Sequence, residues 1–443
     1  MQTKQGFAAI IYADQPERAD GFISATARVA GLSLIERQVR QLTRLGAHII
    51  ILFAPNTAEA IRAGLSPANQ GRSDILVADT PAALAGMCRS SRQPFFLLTR
   101  ADSLVDDRIL ATVRDRRADT VIAYREIEDA DQPPKRGKAP SPLALACLVP
   151  AVKITGRLPA GAETFEQTYG AISDKAAFVN IDCLQAYEPE LRRTQPMLFE
   201  RVTGPERILA LSRLMVTRTQ KGTLDWPARL LHAPMENFLT RLSARFGISP
   251  NSVSAVAAVT GFAAAWFFVQ GYILYGLLLA LTVGVLDGVD GKLARATMSE
   301  SRLGRAEHLL TKFVEYSWFI ALAAYLVPAH GNAVWGLALV VIGFSWAEAV
   351  QGEFYRRLTG AQLDDAGRFE RLWRLIGGRR NTYMWAFLPF VLMGTPYTGY
   401  WALAFYALVT FFVAQIRFIV RLRAYATKAS DDIARNYRQT AYF

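Results

Sequence analysis

Cysteine is scarce: Cys88, Cys147 and Cys183 are the only three in 443 residues. Their spacing fits no metal-ligand pattern, and an odd, scattered set argues against a disulfide framework. They read as reduced thiols filling small core positions. No leader is expected either. The opening "MQTKQGFAAIIYADQ" holds too short an apolar run for a signal peptide, so the first half is expected to stay in the cytoplasm. Acidic residues are outnumbered, 38 against 50 Lys and Arg, for a net charge of +12. That balance suits nucleic acid or an anionic membrane surface, and the placement of the charge decides between them.

Lysine and arginine are absent from three turns, near 270, at 328–332 ("PAHGN") and at 394–400 ("GTPYTGY"). The turns alternate with loops full of both. One loop has Lys292, Arg295, Arg302 and Arg305; the next has Arg356, Arg357, Arg368, Arg371, Arg374, Arg379 and Arg380; the tail has Arg417, Arg421 and Arg423. Between them lie six apolar segments, near 252–270, 271–289, 306–328, 332–355, 382–395 and 399–420, read as spans of a bilayer core about 30 Å thick. The fifth is short and holds Pro389. Basic loops on one side only are the positive-inside pattern. It predicts an integral protein of the inner (cytoplasmic) membrane with both termini in the cytoplasm, and it accounts for the basic balance without nucleic acid.

The first 220 residues alternate differently. "GFAAIIYA", "AHIIILFA", "DILVAD", "PFFLLTR" and "DTVIAYR" read as buried strands, with "SLIERQVRQLTRL" and "TPAALAGMCRS" as helices between them. Such alternation predicts a parallel, Rossmann-like α/β sheet. "DQPPKRGKAPSP" (131–142) reads as a solvent loop. The expected organisation is a cytoplasmic α/β domain (1–220), a linker with an amphipathic helix (221–250), an all-α domain of six transmembrane helices (251–425) and a tail (426–443). The linker's leucines, Trp226, Phe238 and Phe246 recur at helical spacing among arginines. That fits a helix lying in the membrane interface; a plain linker helix packed on the soluble domain is the alternative.

Charge inside the apolar half is concentrated in "GVLDGVDGKLARATMSESRLGRAEHLLTKFVEY" (284–316). Asp287 and Asp290, at i and i+3, share one helix face at the end of the second span. Paired carboxylates suit a hard divalent cation that keeps phosphate oxygens as partners; a capping pair at a helix end is the bland reading. Ionisable groups in a span are costly and mark functional cavities.

"DGVDGKLARATMSESRLG" resembles the signature of the CDP-alcohol phosphotransferases: Asp, two residues, Asp-Gly, two residues, Ala-Arg, eight residues, Gly, then two further aspartates at four-residue steps. Asp287, Asp290, Gly291, Ala294, Arg295 and Gly304 match. His308 and Lys312 stand where the third and fourth aspartates belong. "ISPNSVS" (248–254) and "GGRRNTYMWAFLPF" (377–390) resemble the family's first and fifth span entries. The resemblance implies a six-span fold, a homodimer, and transfer of a phospho-alcohol group from a CDP-linked donor to an alcohol or lipid acceptor. Asp287, Asp290 and His308 would hold Mg²⁺ or Mn²⁺ beside the pyrophosphate. His308 is a base or third ligand, and Arg295 and Lys312 hold phosphate charge. His308, Lys312 and Glu315 share a helix face, which leaves two readings: an active site with altered chemistry, or a silent site in a scaffold that partners an active enzyme.

"VAGLSLIERQVRQLTRLGAHIIILFA" (29–54), "FFLLTRADSLVDD" (95–107) and "FVNIDCLQAY" (178–187) resemble the sugar-phosphate nucleotidyltransferases. The resemblance makes Asp102 and Asp182 candidate metal ligands; a strand-end loop residue and a helix cap are the plainer roles. The family's phosphate loop is glycine-rich so that backbone amides can approach a triphosphate. Here "YADQPERADGFIS" offers only Gly21, with Asp14, Glu17 and Asp20 opposing a polyanion. The first domain is therefore expected to be degenerate, with a binding or assembly role. A catalytically competent soluble domain on a mere anchor is the third option.

Overall fold

The computed structural model describes residues 6–15, 17–116, 120–125, 143–157, 164–172, 176–300 and 303–427, the side chains of 143–145, 156–157 and 303–308 excepted. The chain forms two compact units, Met1–Ala186 with Pro196–Leu214, and Tyr187–Gln195 with Met215–Phe443.

The first unit is built on β1 (Phe7–Tyr12), α1 (Leu34–Leu45), β2 (Ala47–Phe53), β3 (Ile75–Ala78), α2 (Pro81–Ser90), β4 (Phe95–Arg100), α3 (Asp107–Asp115), β5 (Val121–Arg125), β6 (Leu143–Pro150) and β7 (Ala177–Asn180). These strands make one sheet in the order β7-β5-β6-β4-β1-β2-β3. Ile10 of β1 lies opposite Ile51 on one side and Leu98 on the other, both in parallel register. The strands are apolar throughout because both faces are covered. Ala9, Ile11, Leu52 and Leu97 face one core with Val39 and Ile109; Ala8, Ile10, Tyr12 and Ile51 face another with Leu84 and Cys147. Helix α1 starts at Ser33, whose hydroxyl accepts from Glu36 N at 3.2 Å, and ends at Gly46 with φ +88°, the left-handed stop that glycine allows.

The sheet is mixed where a parallel one was expected. β6 runs antiparallel to both β4 and β5. Its eight residues were overlooked because they follow a Pro-rich stretch that reads only as loop. Residues 131–142, expected to be that loop, lie outside the described residues. Cys88 and Cys147 are buried thiols as expected, whereas Cys183 is exposed.

The second unit is helical: α4 (Ala233–Arg245), α5 (Pro250–Val269), α6 (Ile273–Ala296), α7 (Leu303–His330), α8 (Val334–Thr359), α9 (Arg368–Ile376), α10 (Arg380–Leu392) and α11 (Pro396–Thr427). Among the described residues five helices are long and apolar enough to cross a membrane: α5, α6, α8, α11 and Leu309–His330 of α7. Six were expected. The remaining candidate, α10, has 13 residues, about 20 Å at 1.5 Å per residue and short of a bilayer core. Trp318, Phe319, Leu277, Phe387 and Tyr400 fill the interhelical core. Trp318 Nε1 donates to Gly261 O at 2.8 Å and Tyr400 Oη to Phe319 O at 2.8 Å. Each buried polar tip is thereby satisfied.

Helix α4 is amphipathic in an inverted sense. Its buried side carries Glu236, Thr240 and Ala244; Met235, Phe238 and Leu242 are exposed, as are Leu230, Leu231 and Phe246 beside it. The apolar side of this helix thus faces outward and its polar side inward.

Candidate active site

The C-terminal third of α6 organises the site. Asp287 Oδ2 accepts from Arg380 Nη2 at 2.8 Å, and the Asp287 side chain is 43% exposed while that of Arg380 is 11%. Asp290 Oδ2 accepts from Ser254 Oγ of α5 at 2.9 Å. Arg295 commits its Nε to Thr219 O at 3.0 Å. Its Nη1 would lie 3.4 Å from a Cβ on Gly291, so the guanidinium is laid along that glycine. A Cβ on Gly288 would run into the Glu236 carboxylate. Glycine thus lets a polar helix pack directly against the signature segment, a close approach any side chain would block. Ala294 sits in the last turn of α6, where its carbonyl accepts from Ser299 N at 2.9 Å.

Glu236 also anchors that approach. It pairs with Lys292 Nζ at 2.9 Å, both under 5% exposed, and the same ammonium donates to Asn237 Oδ1 at 2.7 Å. Burial raises the Glu236 carboxyl above its ordinary range, with Lys292 opposing. One turn earlier, His232 Nε2 accepts from Trp385 Nε1 at 3.1 Å.

A second charged cluster lies on the following segments. Asp364 receives Arg379 Nη2 at 2.6 Å and Arg417 Nη2 at 3.1 Å, with Arg374 at 3.7 Å. Burial works against the Asp364 charge, but Arg379 and Arg417 outweigh it and hold the carboxyl below its usual range. Three guanidiniums surround this carboxylate, and Glu348 acts on Arg379 and Arg417 as well. Arg374 Nε and Nη1 and Arg417 Nε are buried without a hydrogen-bond partner, a condition that favours an incoming anion. Asp365, next in the chain, takes Thr223 Oγ1 at 2.8 Å and Arg192 at 3.6 Å.

Of the residues expected to form the site, Asp287, Asp290, Gly291 and Arg295 lie together on α6. Lys312 Nζ pairs with Glu315 Oε2 at 2.8 Å and sits 5.7 Å over the Tyr316 ring. Lys312 also lines a groove of about 590 Å³ with Phe313, Trp346 and Phe354 between α7 and α8. Glu315 is buried, and its charge acts on both Arg379 and Arg380. His308 and Gly304 fall in the first turns of α7, and their surroundings lie outside the described residues. In the other unit, Asp102 is buried between Arg100 Nε at 3.2 Å and Arg201 Nη2 at 2.6 Å, and Arg100 also pairs with Glu166. Asp182 is exposed and meets Arg125 at 3.3 Å. Each candidate metal aspartate of that unit thus has a guanidinium partner.

A divalent ion fits α6 in one respect. Asp287 and Asp290 supply two hard oxygen groups a helix turn apart, enough for Mg²⁺ when phosphate and water complete the shell. Among the described residues no three His, Cys, Asp or Glu side chains converge as a metal site. The remaining ligands would have to come from a substrate.

Residues 248–344 match the CDP-alcohol phosphatidyltransferase family. The chain is 29% identical over 194 residues to a bifunctional IPC transferase and DIPP synthase of Thermococcus kodakarensis, 43% of each protein. It is 25% identical over 197 residues to the enzyme of the same name from Aquifex aeolicus, 44% of each. The chain spans less than half the length of these relatives. Two solved structures are similar in outline. HddC from Yersinia pseudotuberculosis has 13% identity, a TM-score of 0.34, and covers 47% of this chain and 99% of its own. The inositol-1-phosphate CTP transferase from T. maritima has 10% identity, the same TM-score, and covers 48% and 96%.

Proposed function

Because its C-terminal side carries a CDP-alcohol phosphotransferase domain, we propose that the protein is a membrane enzyme that moves a phospho-alcohol group from a CDP-linked donor to an alcohol acceptor. The basic loops support a site and both termini on the cytoplasmic face. The products are headgroups of phospholipids or related polar lipids. The observation that carries this reading is the meeting of two carboxylates on α6 with Arg295, whose terminal amino groups make no hydrogen bond to any described residue.

In this reading Asp287 and Asp290 would hold Mg²⁺ or Mn²⁺, which would supply positive charge to offset that of the departing CMP. Arg295 lays its free amino groups on the phosphates. The acceptor oxygen attacks the phosphorus bearing the alcohol, the bond to CMP breaks, and His308 takes the hydroxyl proton. Arg380 restrains Asp287. Arg374 and Arg417, whose buried nitrogens include some without a hydrogen-bond partner, suit an acceptor that itself carries an anionic group. The α/β unit has a binding or assembly role, since Asp102 is already neutralised by arginine.

The test is CMP release by the purified protein with a panel of CDP-linked donors. Asp287→Asn is expected to lower turnover at least 100-fold; unchanged turnover would remove the metal assignment. The closed Asp287–Arg380 and Lys312–Glu315 pairs favour a second reading, a non-catalytic scaffold. Release of CMP from no donor on the panel would select it.

A further inference from the structure

The segment 219–225, ahead of the amphipathic helix, lies outside the region matched to the family and contains no motif. It is nonetheless fastened at Thr219, Gly222, Thr223 and Asp225. Arg295 Nε donates to Thr219 O at 3.0 Å, and Gly222 N donates to Leu191 O at 2.7 Å. Thr223 Oγ1 donates to Asp365 at 2.8 Å, and Asp225 Oδ1 caps Ala228 N at 3.0 Å. Thr219, Thr223 and Asp225 are buried.

Lys221 lies between these anchors. It is half-buried, and its ammonium donates to no described residue. The charges acting on it are Arg295 and Arg192, of its own sign, against Asp287 and Glu300. Arg192 is already paired with Asp365 at 3.6 Å. Arg295 uses only its Nε, and its amino groups lie along Gly291. Two cations with unused donors thus converge beside the signature carboxylates, on a backbone that holds them there. Half-buried like charges repel and keep part of their desolvation cost unless an anion is shared between them.

We propose that Lys221 is a binding residue for the nucleoside-diphosphate donor, gripping a phosphate oxygen together with the terminal amino groups of Arg295. The inference rests on reading the membrane unit as a CDP-dependent transferase. It adds a cation contributed from outside the signature, in a chain where two signature carboxylates are missing. With two anionic side chains fewer, direct contact between side-chain cations and phosphate takes on more of the charge balance.

The test uses the full chain in lipid nanodiscs, with CDP as the probe and calorimetry as the readout. Lys221→Gln and Lys221→Met should each weaken CDP binding at least tenfold, and Lys221→Arg should stay within about threefold of wild type. The control Arg245→Gln, on the exposed side of α4, should bind as wild type. In turnover, Lys221→Gln should raise KM for the donor and leave KM for the acceptor in place. A folded Lys221→Gln or Lys221→Met protein that binds CDP as tightly as wild type overturns the proposal, as does a wild type that binds no CDP. Wild-type CDP binding that depends on Lys221, without turnover of any donor, would sustain the site and remove the transferase reading. Turnover with an unchanged donor KM in Lys221→Gln would do the reverse.

Discussion

Arg379 and Arg380 are neighbours in the chain but serve different carboxylates. Arg379 Nη2 reaches Asp364 at 2.6 Å, and Arg380 Nη2 reaches Asp287 at 2.8 Å. Arg379 precedes α10 in an extended conformation and Arg380 opens the helix, so their side chains leave the backbone in different directions. One peptide unit thereby joins the carboxylate assigned to the donor with the arginine cluster assigned to the acceptor.

A kinetic split follows. Arg379→Gln should raise KM for an anionic acceptor about tenfold and leave the donor KM within about threefold, the scale expected for one charge-assisted hydrogen bond. Arg380→Gln should instead lower kcat and shift the dependence on Mg²⁺ concentration. Steady-state CMP release with each substrate varied in turn checks both. If the two variants changed the same constant, the division into donor and acceptor sides would be wrong.

The Glu236–Lys292 pair is a stability prediction. Removing one partner of a buried ion pair strands the other, at a cost of about 3–5 kcal/mol, whereas replacing both with apolar residues of similar volume is often neutral. Lys292→Met and Glu236→Leu should each melt well below wild type, and the double variant should recover most of the loss. Thermal melting in one detergent measures this. A double variant no more stable than either single one would mean that the pair does more than satisfy its own burial.

His232 makes the fold sensitive to acid. The Trp385 indole can only donate, so His232 Nε2 must be the bare nitrogen. Burial is the main cause of its lowered pKa, with Arg380 adding to it and Asp225 opposing. A base lowered in the folded state keeps its full contribution above the unfolded value near 6.5 and loses it as pH falls below. Stability should therefore fall as pH drops below about 6.5, and His232→Gln should flatten that part of the profile. A wild-type melting temperature that stays level over this range would contradict the assignment.

How much of this could be read in advance depended on distance along the chain. Asp287, Asp290, Gly291 and Arg295 form a local pattern on one helix, so spacing alone placed them together. Most of the partners that complete the site are remote: Ser254 is 36 positions from Asp290, Arg380 is 93 from Asp287, and Asp364 meets an arginine 53 residues on. No periodicity links such positions. Lys221 was missed for another reason, being one lysine in an irregular segment. Asp102 looked available because Arg201, 99 residues away, gives no local sign of its approach. The sheet was legible strand by strand except for β6, hidden behind Pro-rich sequence. Span counting overreached at α10, where a turn at Met393–Gly394 ends the helix after 13 residues. Periodicity also showed that α4 has two faces without showing which one turns inward. The buried Glu236–Lys292 pair decides that, because a salt bridge needs a partner helix and leucine does not.

The inverted helix has a practical corollary for dissecting the chain. With its salt bridge inside and Phe238 and Leu242 outside, α4 has no comfortable place in water. A fragment truncated between residues 233 and 250 would keep this oily strip yet lose the helix that neutralises Glu236. Dividing the protein into workable pieces therefore means cutting ahead of Ala228, or keeping the bundle whole.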